Sequence, residues 1–129
     1  MTTKRIVIVD DHEVVRSGLR ATLETHTGWE VVAEADNGKD AITLIVDNKP
    51  DVAIIDYSLP LINGIEVTRS IKQRQIKTEI LIFTMHDSDV LVKEAFKAGA
   101  RAFLLKSEAK DQLTSAVEPR SSGALFVQF

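Results

Sequence analysis

Three runs of consecutive apolar residues set the terms for any fold this chain can adopt: 6–9 (Ile-Val-Ile-Val), 52–55 (Val-Ala-Ile-Ile) and 80–83 (Ile-Leu-Ile-Phe). They are rich in β-branched residues and do not alternate with polar ones. A strand with one wet face alternates. A strand that does not is covered on both faces, as in a parallel sheet held between layers of helices. Two weaker runs, 30–35 and 102–105, bring the set to five. The stretches between them have helical spacing. Val14, Val15, Leu19 and Leu23 predict a helix over 12–25, and Ala41, Leu44 and Ile45 one over 38–47. Ile65, Thr68 and Ile71 predict one over 63–73, Val92, Ala95, Phe96 and Gly99 one over 88–97, and Leu113, Ala116 and Val117 one over 109–118. Gly28, Lys49-Pro50, Asn63-Gly64 and Ala98-Gly99-Ala100 fall at the joints, and Pro119 closes the last helix. Five strand–helix repeats predict one doubly wound α/β domain, with a five-stranded parallel sheet, right-handed crossovers and helices on both faces.

Composition narrows what such a domain can do. With 129 residues the chain suits a single core. Sixteen Lys and Arg against nineteen Asp and Glu give a net charge of −3, so no bulk attraction to nucleic acid or to anionic membranes is expected. The absence of cysteine excludes disulfides, thiolate metal sites and cysteine nucleophiles. The apolar run near the start is too short for a signal peptide, and no stretch approaches the ~20 apolar residues of a membrane span. A soluble cytoplasmic protein that does not engage membranes is the expectation.

The polar residues that follow the runs carry the chemistry. Asp10 and Asp11 follow the first, Asp56 the third, Thr84 the fourth and Lys106 the fifth. Each has a bland reading alone: Asp10 or Asp11 as a helix cap, Asp56 as a turn residue, Thr84 as a cap (unless Ser88 takes that place), Lys106 as a solvated cation. Open parallel sheets bind ligands beyond the carboxyl ends of their strands, where strand order reverses. With the order 2-1-3-4-5, strands one and three are neighbours there and all three acids share a cleft. Crowded carboxylates raise one another's pKa, and a hard divalent cation relieves that. Mg²⁺ suits this set: it takes one or two carboxylates, here Asp11 and Asp56, with other oxygens such as the Ser58 carbonyl. Lys106 offers a point charge and Thr84 a hydroxyl for a phosphoryl group, and an Asp carboxylate can itself accept one. A nucleotide loop is absent, because the turn Asp10-Asp11-His12-Glu13 has no glycine. His12 reads as a helix-start residue, since Mg²⁺ prefers oxygen.

With these residues in place the sequence resembles a response-regulator receiver domain of a two-component system. The resemblance rests on Asp10-Asp11, on Asp56-Tyr57-Ser58-Leu59-Pro60-Leu61-Ile62-Asn63-Gly64, on Thr84 and on Phe103-Leu104-Leu105-Lys106, and covers about residues 5–117. The segments 10–19 and 104–107 are similar to the receivers that precede a LuxR-type helix-turn-helix. The resemblance implies a flavodoxin-like fold. It implies that Asp56 accepts a phosphoryl group from a sensor histidine kinase, and that Asp10, Asp11, Asp56 and the Ser58 backbone carbonyl hold Mg²⁺. Lys106 then contacts the phosphoryl group, Thr84 moves toward it, Phe103 changes rotamer, and Ser58 and His86 tune dephosphorylation. Pro60 and Gly64 shape the loop after the acceptor strand. On this reading the domain is not an enzyme with turnover, but a phosphoacceptor that catalyses its own phosphorylation and dephosphorylation.

Some positions depart from the family. Lys106 precedes Ser107 where many receivers have proline, which disfavours a cis bond costing ~2.5–4 kcal/mol. Phe103 lacks the hydroxyl of the commoner tyrosine. Residues 1–118 are expected to form the receiver and 119–129, with the apolar Ala124-Leu125-Phe126, a linker stub or tail. The expected output is transcription through a DNA-binding domain outside these 129 residues; the alternative is a stand-alone receiver acting by protein–protein contact. A homodimer is compatible with either. Val90, Leu91 and Val92 are consecutive and cannot all face a core, so they read as a surface residue or as part of a partner surface. A Mg²⁺ phosphatase with an aspartyl-phosphate intermediate is a further reading, but it wants an acid/base Asp where Ser58 stands.

Overall fold

A computed structural model describes residues 3–106 and 116–117. The elements run β1 (Lys4–Val9), α1 (Glu13–Leu23), β2 (Trp29–Ala35), α2 (Gly38–Asn48), β3 (Val52–Ile55), α3 (Gly64–Gln73), β4 (Glu79–Thr84), α4 (Asp89–Ala98) and β5 (Ala102–Leu105). All strand pairs are parallel, in the order β2-β1-β3-β4-β5. The five apolar runs are the five strands, and β3 and β5 are buried at every position. The helix over 109–118 and the tail lie outside the described residues, except that Ala116 and Val117 are helical and buried.

Alternation along each strand divides the core into two layers. Ile6, Ile8, Ile54, Leu81 and Leu104 face Leu19 and Leu23 of α1, together with Ala116 and Val117. Val7, Val9, Ile55, Ile80, Ile82 and Phe103 face α2, α3 and α4 through Ala41, Ile45, Val67, Ile71 and Ala95. Burying an aliphatic side chain in such a layer is worth about 1.5–3 kcal/mol, so neither face of the sheet can be left wet.

Local chemistry sets the helix starts. The side chain of Asn37 caps α2 by accepting from the Asp40 amide, 2.8 Å. Asn63 and Glu66 form a reciprocal capping box on α3, and Ser88 caps α4 through the Leu91 amide. Ser88 therefore has the role that the sequence left open between it and Thr84. At α1 neither aspartate is the cap. His12 occupies that position with no side-chain bond to the helix, and Asp10 instead accepts from the His12 amide at 2.8 Å. Trp29 starts β2 and stacks on His26, with ring centres 4.3 Å apart. Val90 is exposed, while Leu91 and Val92 pack against the core as half-buried residues.

An ion-pair relay ties α1 to β2. Glu34 accepts from Arg16 Nε at 2.9 Å and Arg20 Nε at 2.8 Å. Burial pushes the Glu34 pKa up, but the two guanidiniums outweigh it and hold it below the ordinary 4.5. A depressed folded pKa means that the stability this carboxylate contributes is complete above the ordinary value and is lost as pH falls through the folded one. Urea unfolding of Glu34→Gln across pH is expected to show a deficit at neutral pH that closes as pH drops below 4.5. A deficit of the same size at every pH would show that the loss is one of packing alone.

Candidate functional site

The strand order brings the polar residues together. Val9 pairs with Ile55, so Asp10 and Asp56 leave adjacent strands side by side. The Asp56 amide donates to Val9 O at 2.9 Å and the Asp10 amide to Ala35 O at 3.1 Å, which carries the ladder one step past the strand ends. The Lys106 amide does the same to Thr84 O at 2.8 Å. The loop 56–63 is closed by Gly64, whose amide donates to Tyr57 O at 2.9 Å. A Cβ on Gly64 would strike the Asp56 carbonyl, so glycine is required for this approach. Pro60 O accepts from the Gly38 amide, which pins the loop to the start of α2.

At the centre Lys106 Nζ lies 2.6 Å from Asp10 Oδ2 and 3.1 Å from Asp56 Oδ2. The three side chains are 11%, 1% and 5% exposed, so this is a buried triad and not a solvated lysine. Phe83 lies beneath the ammonium, its ring centre 5.7 Å away. Burial pushes the Asp56 pKa up. Lys106 pulls it back, the Asp10 charge adds a smaller upward push, and the net shift is upward. Repulsion between the acids is thus real but second to burial. For Lys106, burial acts against the charge, yet the two carboxylates win and raise its pKa above 10.5.

The remaining residues surround this triad. Asp11 is exposed, and His12 Nδ1 lies 3.1 Å from both Asp10 Oδ1 and Asp11 Oδ1. One ligand atom from each of Asp10, Asp11, His12 and Asp56 falls within 4.8 Å of all the others. Three hard carboxylate donors and a net negative charge after Lys106 is counted suit Mg²⁺; the imidazole does not. The Ser58 amide donates to Asp56 Oδ1 at 3.3 Å, and its hydroxyl meets His86 Nε2 at 2.7 Å, joining the segments that follow β3 and β4. Tyr57 packs its edge against the same imidazole at 5.6 Å. Thr84 is buried and accepts from the His86 amide at 3.3 Å. Phe103 is fully buried at the middle of β5. The Lys106–Ser107 bond lies outside the described residues.

The sequence reading did not find Arg16. Its Nη1 donates to the Asp10 carbonyl at 2.7 Å, and nothing in the spacing of charges along α1 signals a contact with a strand-end backbone. The embrace of both acids by His12 was likewise not legible, because it depends on which way the imidazole turns.

Comparison with known proteins follows the same outline. The family model for the response regulator receiver domain matches residues 6–118. The transcriptional regulatory protein DegU of Brevibacillus brevis is 35% identical over 123 residues, spanning 95% of this chain and 52% of that protein. The response regulator UvrY of Escherichia coli strain K12 is 37% identical over 122 residues, spanning 95% and 56%. The signal receiver domain of the response regulator NarL from Mycobacterium tuberculosis superposes with a TM-score of 0.87 at 34% identity, covering 91% of this chain and 94% of that one. The chain therefore spans about half the length of the curated relatives it matches. Among the described residues no helix is long and apolar enough to cross a membrane.

The raised Asp56 pKa has a stability consequence. Its environment favours the protonated form, so stability is lost as pH rises from the ordinary 3.8 through the folded value. In chelator, Asp56→Asn is expected to melt higher than the parent at neutral pH, with the two curves converging as pH approaches 3.8. A variant less stable than the parent at neutral pH would show that the triad, as built, is net stabilising.

Proposed function

The chain belongs to the response regulator receiver family, and from that premise we propose that Asp56 is its phosphoacceptor and that Asp10, Asp11, Asp56 and the Ser58 carbonyl are its Mg²⁺ ligands. The observation that carries the reading is the bridge from one lysine ammonium to two buried carboxylates at the ends of adjacent strands. A structural salt bridge needs one carboxylate. Two beside one cation, with a third acid next door, leave excess negative charge that is costly to keep out of water. Such an arrangement suits a cation and a transferred anion together.

In the transfer, an Asp56 oxygen bonds to phosphorus as the P–N bond of a kinase phosphohistidine breaks and its electron pair returns to the imidazole. Mg²⁺ supplies neutralisation of the phosphoryl oxygens. Lys106, already within 3.1 Å of Asp56, contacts one of those oxygens. The added charge of about −1.5 to −2 draws Thr84 away from the His86 amide, and Phe103 repacks into the space released. Coupling of this kind is typically worth ~1–3 kcal/mol, enough to tilt a two-state switch. The Ser58–His86 pair stands over the acceptor and tunes how fast water removes the phosphoryl group. Acceptance and removal are both catalysed by the domain itself.

The partners that follow are a sensor histidine kinase and an output module. The name of DegU, a transcriptional regulatory protein, favours control of transcription, with DNA contacted by a part beyond the matched segment. A cytoplasmic location and residues 1–118 as the receiver unit agree with this. Incubation with acetyl phosphate is expected to give a single phosphoryl adduct by intact-mass spectrometry. The adduct should need Mg²⁺ and disappear in Asp56→Asn. No Mg²⁺-dependent adduct on the parent chain would sink the proposal.

A further inference from the structure

We infer that Arg16 is a positioning residue for the metal site: its guanidinium, anchored on Glu34, holds the Asp10 carbonyl and so orients the Asp10 and Asp11 carboxylates toward the cation. The inference rests on the Mg²⁺ reading above and adds a residue that takes no part in ligation.

Asp10 is 1% exposed, so its backbone groups need partners inside the protein. The amide has one in Ala35 O at 3.1 Å. Its carbonyl lies beyond the last paired residue of β1, where the ladder offers nothing. Arg16 Nη1 fills that place from the first turns of α1, at 2.7 Å. The same guanidinium gives its Nε to Glu34 Oε1 at 2.9 Å. Glu34 is the residue before Ala35, so the partner of the Asp10 amide and the anchor of Arg16 are consecutive positions of β2. The carbonyl held by Arg16 belongs to the peptide that joins Asp10 to Asp11. Fixing that plane fixes both Cα atoms, the points from which the two side chains leave it.

The charge bookkeeping separates orientation from field. Glu34 pairs with Arg16 and Arg20, and Glu24 with Arg20, so two carboxylates balance two guanidiniums and the brace brings little net charge to a cleft meant for a cation. The guanidinium reaches the Asp10 carbonyl and Glu34 through donors held in one rigid plane at a fixed spacing; an ammonium on a lysine stem has no such fixed fork. Arg20 provides an internal control. It binds the same carboxylate, Nε to Glu34 Oε2 at 2.8 Å, but it does not reach Asp10. If Arg16 only strapped α1 to β2, the two arginines would be equivalent.

The test compares Arg16→Met, Arg16→Lys and Arg20→Met in the 129-residue chain. Mg²⁺ affinity is read by titration calorimetry and stability by urea unfolding. Exchange of the His12 amide, which donates to Asp10 Oδ1 at 2.8 Å, is read by NMR in metal-free protein. Groups that orient metal ligands typically cost about 10–100-fold in affinity when removed, and Arg16→Met is expected to weaken Mg²⁺ by about tenfold. It should also speed His12 amide exchange. Arg20→Met is expected to lose stability while keeping both the parent affinity and the parent exchange rate. Arg16→Lys is expected to follow Arg16→Met, and it serves as the test if the methionine variant does not fold. Parent affinity in Arg16→Met, or its restoration in Arg16→Lys, would overturn the proposal by reducing Arg16 to a strap or to a charge. A parent chain that binds no Mg²⁺ would overturn the metal reading separately. Unchanged His12 exchange in Arg16→Met would then overturn the brace as well.

Discussion

One ammonium shared between two buried carboxylates governs the arrangement of this molecule. Lys106 enters from β5, Asp10 from β1 and Asp56 from β3, so the contact spans four of the five strands of the sheet. It forms only where β1, β3, β4 and β5 lie side by side in that order. It also cannot be fully satisfied. Two negative charges face one positive charge where the side chains are almost dry, and burial raises the Asp56 pKa despite the cation. Burial thus acts against the charged form of a group that the fold nevertheless holds at its centre.

The surroundings limit that cost by fixing backbone, because the backbone is what a closely paired sheet can fix. Each strand end is extended by one more hydrogen bond, at Asp10, Asp56 and Lys106. Gly64 lets the chain turn back against the Asp56 carbonyl, and Arg16 takes up the Asp10 carbonyl. The acids can thus be held close together with few direct constraints on their carboxylates. Asp11 stands exposed beside the buried Asp10 and Asp56, while Thr84 and Phe103 lie buried on the strands next in line.

Most of the layout was readable from the chain. The runs at 52–55 and 102–105 coincide with β3 and β5, because unbroken β-branched sequence has few alternatives to a two-sided strand. Helix starts were readable where one polar cap was on offer, as at Asn63, and less so at α4, left open between Thr84 and Ser88, and at α1, where three polar residues compete. Asp10, Asp11, Asp56 and Lys106 were readable as one site because strand-end positions converge in a doubly wound sheet. Their hierarchy was not. Sequence suggested mutual repulsion as the main cause of a raised pKa, whereas burial is the larger cause. Arg16 was missed as a neighbour of the acids, and the turn of the His12 imidazole toward them was not legible, because both depend on rotamers, and a rotamer is chosen by what lies opposite.

The sequence by itself determined the element order, the two-faced burial of the strands and the set of polar residues at their carboxyl ends. Those follow from local patterns: runs, helical spacing, caps and turns within a few residues of each other. Only the tertiary structure decided which residues meet. The 96 positions between Asp10 and Lys106 and the 18 between Arg16 and Glu34 are bridged by packing, not by any pattern along the chain. Distances of 2.6 to 3.1 Å between groups so far apart in sequence depend on the register of parallel strands and the seating of helices upon them. Those are properties of the whole core, and no single segment encodes them.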